Sequence, residues 1–258
     1  MTNKPDPTDS SKAPARIAMW SGPRNISTAL MRSWGSRPDT AVVDEPLYGH
    51  YLRWLPGERR REHPGADETI AAMDGDWKSV TNTLIGPVPG NRPIWYQKHM
   101  AHHLTPGIDL SWIDGLTNCF LIRDPAAMIA SFAKVIPNPT PDDLGLPAQT
   151  ALFGRVRQPT GRLPAVIDSA DVLRDPPGVL SALCAHIGIP FDDSMLAWPP
   201  GPRDTDGPWA PHWYASVEQS TAFAPPHTER PIIPDHLQSV LDTCQPMYDA
   251  LAQHRITG

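Results

Sequence analysis

One cation and two hydroxyl groups follow the first apolar run of the chain, at residues 17–20. Arg24 lies in the turn after this run, and Ser27 and Thr28 lie where an apolar helical stripe begins. The first N–H groups of a helix have no intrahelical partner and carry partial positive charge, so they hold an oxyanion well. The pattern therefore indicates a site for a phosphate-like group. The alternative is an ordinary strand-to-helix turn capped by Ser27.

A second arginine follows another apolar run, at residues 119–122. Pro125 suits the first turn of a helix. Ser131 lies eight residues after Arg123, a little over two helical turns along. The segment indicates a second anion-binding element on a strand and helix. The alternative is a polar turn in which Arg123 contacts Asp124.

Chemistry at such a site also needs a group that accepts a proton, and carboxylate and imidazole side chains serve this purpose. Glu45 ends a short apolar run, and Lys98 and His99 end another. The alternative for Glu45 is an acidic turn that faces solvent. His99, His102 and His103 have a spacing that suits a metal, but no acidic or cysteine cluster accompanies them, which favours packing or substrate contact.

The elements that must position these residues alternate between strands and helices along the chain. We therefore predict an α/β fold, a three-layer sandwich with a central, mainly parallel sheet and a phosphate-binding loop of the P-loop type. Ligands of such sheets bind beyond the carboxyl ends of the strands. Helices are predicted at residues 67–84, 179–187 and 236–251. The proline-rich stretches 137–164 and 199–234 are predicted to form ordered loops.

Length and composition predict one domain at residues 15–258 after a disordered tail at 1–14. The net charge of −6 argues against nonspecific binding of nucleic acid or anionic membranes. No apolar run approaches the ~18 to 20 residues of a membrane span, so no membrane is expected as a partner. The three cysteines lie far apart and match neither a metal pattern nor a disulfide framework, which favours a reducing cytoplasm: Cys119, Cys184 and Cys244.

The first anion element resembles the 5′-phosphosulfate loop of sulfotransferases that use 3′-phosphoadenosine 5′-phosphosulfate (PAPS). The family pattern is Pro-Lys/Arg-Ser-Gly-Thr/Ser-Thr. In this chain the segment reads Pro23-Arg24-Asn25-Ile26-Ser27-Thr28. Asn25 and Ile26 replace the family's Ser and Gly, and Asn25 tolerates the left-handed backbone that this turn requires. The resemblance implies that Arg24, Asn25, Ile26, Ser27 and Thr28 bind the 5′ end of the donor.

Two further segments resemble the same family. Arg123 and Ser131 have the separation of the arginine and serine that bind the donor's 3′-phosphate in that family. Residues 166–191 resemble the segment in which a strand ends in Tyr-Glu-Asp-Leu and a helix follows, with Ser169 and Ala170 in place of Tyr and Glu. An aromatic residue near the adenine is thus missing there. The candidate substitutes are Trp209, Trp213 and Tyr214.

The resemblance also implies catalytic roles. Glu45 matches the catalytic Glu of a branch that includes glycosaminoglycan and trehalose sulfotransferases. Lys98 matches the Lys of the Lys-Thr-His motif of cytosolic sulfotransferases, whose His position holds Met100 here. We predict that Glu45 is the base and that Lys98 stabilises the sulfonate. His99, one position from the family's His, is the second candidate for the base or a partner of it.

The sequence thus predicts a sulfotransferase that moves a sulfuryl group from PAPS to a hydroxyl or amine of a small-molecule or sugar-like acceptor. It would release 3′,5′-adenosine bisphosphate (PAP) and need no metal. One alternative is a P-loop kinase for a small metabolite, although Ile26 stands where its loop Lys would be. Another is a catalytically silent nucleotide-binding protein of the same fold. The sequence leaves the acceptor and the oligomeric state open.

Overall fold

Five strands form one sheet in the computed structural model, which describes residues 13–160, 163–226 and 231–258. In chain order they are β1 (Ala15–Ser21), β2 (Thr40–Asp44), β3 (Ile94–Met100), β4 (Thr117–Ile122) and β5 (Ala165–Asp168). Their order across the sheet is β2-β3-β1-β4-β5, and each of these pairings is parallel. The predicted parallel sheet is confirmed. Residues 1–12 of the predicted tail lie outside the described residues.

Helices occupy both faces of this sheet. In chain order they are α1 (Ser27–Gly35), α2 (Tyr48–Trp54), α3 (Gly57–Arg61), α4 (Ala66–Ala72), α5 (Trp77–Ile85), α6 (Pro125–Phe132), α7 (Pro141–Leu144), α8 (Leu146–Thr160), α9 (Ser169–Arg174), α10 (Pro176–Ile187), α11 (Ala210–Trp213), α12 (Ala215–Glu218) and α13 (Gln238–Ala252). Apolar residues of α1 and α10 pack in the core on one face, and those of α6, α8 and α13 pack on the other. The predicted three layers are confirmed.

The alternation of side chains along β1 explains why both faces need cover. Ile17 and Met19 belong to the core under α1 and α10, whereas Ala18 and Trp20 belong to the core under α6 and α13. Successive side chains of a strand point to opposite faces, so an apolar strand is stable only between two layers. All four side chains are fully buried.

Two local predictions were wrong. The helix predicted over residues 67–84 is two helices, α4 and α5, because Asp76 ends the intervening turn and accepts a hydrogen bond from the Lys78 backbone N–H at 3.1 Å. The stretch 137–164 was expected to be loop, but much of it forms α7 and α8. Pro141 lies in the first turn of α7, where the missing N–H costs nothing, and Thr140 and Asp143 form a capping box.

Candidate active site

A cavity of about 240 Å³ lies beyond the carboxyl ends of the central strands. It is the place where ligands of parallel sheets bind. Nine of the ten predicted site residues line it: Arg24, Asn25, Ile26, Ser27, Thr28, Glu45, Lys98, Arg123 and Ser131. They come from the loop after β1, the start of α1, the ends of β2 and β3, and the segment from β4 to α6. The topology therefore brings together residues more than a hundred positions apart.

Asn25 and Gly22 fix the loop between β1 and α1. Asn25 donates a hydrogen bond from Nδ2 to the Leu121 carbonyl at 3.2 Å and accepts one from the Ile26 N–H at 2.9 Å. A Cβ on Gly22 would lie 2.3 Å from the Leu144 carbonyl oxygen, so only glycine fits there. The left-handed residue is Arg24, with φ of 53°, and the expectation that Asn25 would take this role was wrong. Asn25 instead ties the loop to β4.

The start of α1 lies at the wall of the cavity. The helix begins at Ser27, and the residue before it is Ile26, whose side chain has no polar atom with which to cap it. Ser27 and Thr28 both line the cavity. The alternative interpretation, in which Ser27 merely caps the helix, does not match this placement. The first turn of α1 is therefore available to an anion.

The two predicted anion-binding arginines share this cavity. Arg24 donates from Nε to Ser131 Oγ at 3.1 Å, and Arg123 donates from Nη1 to the Arg24 carbonyl. Burial lowers the pKa of Arg24, and burial together with the charge of Arg24 lowers the pKa of Arg123. Within the described ranges, neither guanidinium makes an ion pair with a carboxylate. A multiply charged anion would relieve their mutual repulsion.

Glu45 and Lys98 meet at the other end of the cavity. Glu45 follows β2 in a left-handed conformation, with φ of 38°, and its Oε1 accepts a hydrogen bond from Lys98 Nζ at 2.7 Å. Burial raises the pKa of Glu45, Lys98 opposes that rise, and Asp44 adds to it. Burial lowers the pKa of Lys98, but the charges of Asp44 and Glu45 outweigh it and raise the pKa well above its usual value. Lys98 is thus a cation, and Glu45 has an increased affinity for a proton.

His99 is the one predicted site residue that does not line the cavity. It lies on the opposite face of β3 from Lys98, because neighbouring side chains of a strand alternate. Its ring stacks on Trp20 with centroids 4.4 Å apart, and its Nε2 lies 3.2 Å from Gln97 Oε1. Burial lowers its pKa to about 3. The prediction that His99 could serve as the base was therefore wrong, because His99 is a neutral residue of the core.

An aromatic wall borders Glu45, and the sequence did not predict it. The rings of Tyr48 and His103 stack with centroids 4.8 Å apart, and Trp209 meets Tyr48 edge-on at 5.0 Å. Tyr48 Oη lies 3.0 Å from His63 Nδ1. Burial lowers the pKa of His63 to about 4 and that of His103 well below its usual value, so both are neutral. This end of the cavity offers apolar surface and uncharged hydrogen-bonding groups.

Histidines near β3 do not form the metal site that their spacing allowed. His99 is directed away from the cavity, whereas His102 and His103 line it. Among the residues that the structure describes, no group of three or more His, Cys, Asp or Glu side chains is arranged to hold a metal ion.

In the described part of the chain, no helix has the length and apolar character needed to cross a membrane.

The three aromatic residues considered for the adenine occupy different positions. Trp213 lines the cavity and lies beside Arg24, with the guanidinium carbon 5.6 Å from the ring centroid. Tyr214 Oη accepts a hydrogen bond from Lys98 Nζ at 2.6 Å, and Trp209 Nε1 donates to Tyr214 Oη at 3.0 Å. Trp209 and Tyr214 thus belong to the base end, and Trp213 is the one beside the arginines.

Comparison with known proteins identifies the family of the chain. A family model for the sulfotransferase domain matches residues 15–255. Branched-chain-amino-acid aminotransferase-like protein 1 of Arabidopsis thaliana is 36% identical over 241 residues, which are 93% of this chain and 42% of that protein. Branched-chain-amino-acid aminotransferase-like protein 2 of the same plant is 34% identical over 238 residues, which are 92% of this chain and 41% of that protein. The chain therefore spans about two fifths of the length of these relatives.

Two solved structures share the fold. The sulfotransferase from Alicyclobacillus acidocaldarius has a TM-score of 0.54 at 14% identity, covering 95% of this chain and 98% of that one. The sulfotransferase domain from the curacin biosynthetic pathway has a TM-score of 0.52 at 17% identity, covering 96% and 100%. At these identities the structures show a shared fold, and the family model extends over nearly all of the chain. This chain belongs to the sulfotransferase domain family.

Proposed function

We propose that the chain transfers a sulfuryl group from PAPS to a hydroxyl or amine of a small-molecule acceptor. One observation carries this proposal: a single cavity holds, at one end, two arginines that have no carboxylate partner among the described residues and, at the other, a proton-accepting carboxylate. A doubly phosphorylated nucleoside supplies the negative charge that the arginine end lacks. The membership in the sulfotransferase domain family supports the same reaction.

The donor would be held by two groups of residues. Arg24, Ser27, Thr28 and the first N–H groups of α1 suit the 5′ end, and Arg123 and Ser131 suit the 3′-phosphate. Bound PAPS supplies the sulfuryl group, whose S–O bond to the 5′-phosphate breaks as the bond to the acceptor oxygen or nitrogen forms. Arg24 and the α1 N–H groups then stabilise the charge that grows on the departing phosphate oxygen.

The acceptor would bind at the opposite end, against Tyr48, His103 and Trp209. Glu45 is placed to take the acceptor's proton, and the rise in its pKa caused by burial increases its affinity for that proton. Lys98 lines the cavity beside it, and its positive charge would stabilise the transferred group. We also propose a reducing, cytoplasmic setting, which the three buried, unbridged cysteines support.

Ligand binding separates this function from the kinase alternative. We expect PAP to raise the melting temperature of the protein at concentrations where ATP with Mg²⁺ does not, since a ligand that binds the native state stabilises it. Stabilisation by ATP with Mg²⁺ alone would contradict the proposal. Incubation with labelled PAPS and a metabolite extract then tests transfer, and it identifies the acceptor from the labelled product. Binding of PAP without any labelled product would support a silent nucleotide-binding protein instead.

A further inference from the structure

Lys98 is held by three partners at once. Its Nζ donates to Asp44 Oδ1 at 2.8 Å, to Glu45 Oε1 at 2.7 Å and to Tyr214 Oη at 2.6 Å, which uses all three of its protons. Tyr214 in turn donates its hydroxyl proton to Asp44 Oδ2 at 2.6 Å. Lys98, Asp44 and Tyr214 therefore form a closed ring of hydrogen bonds, which we call the lysine ring. Glu45 is attached to this ring at a single point.

The positive charge of Lys98 is balanced within the lysine ring, without Glu45. The side chains of Lys98 and Asp44 are each 1% exposed, and their opposite charges neutralise each other. Burying a charge without a partner costs several kcal/mol, so a lysine that depended on Glu45 alone would keep Glu45 ionised. Asp44 removes this constraint. Glu45, which lines the cavity, can therefore gain a proton without leaving the Lys98 charge unpaired.

A distant segment of the chain holds the lysine ring in place. Gly207 donates its backbone N–H to Asp44 Oδ2 at 3.2 Å, and Trp209 donates to Tyr214 Oη. Asp206 anchors the same segment to α1 through a bidentate pair with Arg32, at 2.5 and 2.7 Å. Every polar atom of the ring thus has a defined partner, which fixes its geometry.

We propose that Asp44 and Tyr214 are positioning residues that hold Lys98 independently of Glu45, so that Glu45 can bind the acceptor proton during transfer. This inference rests on the proposed function, in which Glu45 is the base. Asp44 and Tyr214 do not touch the reacting atoms in this role. They act through Lys98, by supplying the carboxylate and the hydroxyl that Lys98 would otherwise lack.

Few groups near Glu45 are able to shift its protonation. The titratable and charged groups around it are Lys98 on β3, Asp44 on β2, His103 after β3, Tyr48 on α2 and Tyr214 after α11. His103, whose Nε2 lies 3.9 Å from Glu45 Oε2, is neutral because burial lowers its pKa well below its usual value. Burial keeps both tyrosines neutral by raising their pKa values. Of the groups that the structure describes, those whose charges act on Glu45 are thus Lys98 and Asp44.

The test is a pH titration of the Glu45 carboxyl group in the ligand-free protein. Infrared difference spectra follow the carbonyl stretch of the protonated acid, and Glu45→Gln assigns the band. In Asp44→Asn the neighbouring negative charge is gone and Lys98 keeps Glu45 as its single carboxylate partner. We therefore expect the titration midpoint to fall, by about one pH unit or more. Asp109→Asn, which removes an exposed carboxylate, is the matched control and should leave the midpoint unchanged.

Tyr214→Phe gives a second, milder perturbation of the lysine ring. It removes the hydroxyl that bridges Lys98 and Asp44, so a larger share of the Lys98 donors goes to Glu45 and the midpoint should fall by a smaller amount. A midpoint that stays constant or rises in either folded variant would overturn the inference, because a merely structural role would not change the Glu45 titration. If the unmodified protein did not bind PAP, the proposed function itself would be contradicted. Calorimetry measures PAP binding independently of the Glu45 titration.

Discussion

Replacing Arg123 by glutamine tests the division of the cavity between the two ends of the donor. Arg123 and Ser131 are assigned to the 3′-phosphate, and Arg24 to the 5′ end. The variant Arg123→Gln should therefore weaken the binding of PAP and leave that of 5′-AMP nearly unchanged, since 5′-AMP has no 3′-phosphate. Arg24→Gln should weaken both ligands.

The expected magnitude follows from the surroundings of Arg123. A hydrogen bond to a charged group contributes about 1.5–3 kcal/mol. The site is only partly buried, and removing Arg123 also removes its repulsion with Arg24, so the net loss should lie in the lower part of that range. This loss corresponds to a Kd for PAP that is roughly 10- to 30-fold higher.

Isothermal titration calorimetry of both ligands against both variants provides the measurement. Arg92→Gln is the control, because Arg92 is an exposed arginine that lines a different cleft. The reasoning would be refuted if Arg123→Gln weakened 5′-AMP by the same factor as PAP. In that case Arg123 would act on the nucleotide as a whole and would not recognise the 3′-phosphate.

Three further predictions concern the base, the loop and the buried histidine. Glu45→Gln should keep PAP affinity within twofold while sulfuryl transfer falls about 100-fold or more, as measured by calorimetry and labelled-donor assay; unchanged turnover would exclude Glu45 as the base. Gly22→Ala should cost about 1–3 kcal/mol, because its Cβ would overlap the Leu144 carbonyl, whereas Gly115→Ala, with open space around it, should leave the melting temperature unchanged. The unfolded chain protonates His99 near its ordinary pKa of 6.5, whereas the folded protein does so at about 3. Folding stability therefore decreases as the pH is lowered from 6.5 towards 3. His99→Phe should reduce this slope in urea titrations by up to about 1.4 kcal/mol per pH unit, and an equal change with exposed His236→Asn would contradict the assignment.

The parts of the site that lie close together in sequence were predictable. The loop after β1, the start of α1 and the segment from Arg123 to Ser131 each follow an apolar strand, and a parallel sheet brings such strand ends to one edge. The same reasoning placed Glu45 and Lys98. The alternation of side chains in β3 should also have excluded His99, because Lys98 and His99 are neighbours and only one of them can face the cavity.

The contacts between distant segments were not predictable. Tyr214 reaches Lys98 and Asp44 across more than a hundred residues, and no local pattern marks its hydroxyl as a partner of either. Trp209 was considered for the adenine, but its N–H is used by Tyr214. The aromatic wall around Tyr48 depends on how α2 packs against the segment after β3. Such pairings follow from tertiary packing, which spacing along the chain does not encode.

The most direct test of the central claim is a crystal structure of the protein with PAP. The account predicts one PAP molecule in the cavity beyond the strand ends, with its 5′-phosphate at Arg24 and the start of α1 and its 3′-phosphate at Arg123 and Ser131. A PAP molecule that contacts only one of the two arginines, or that lies in another cleft, would contradict it.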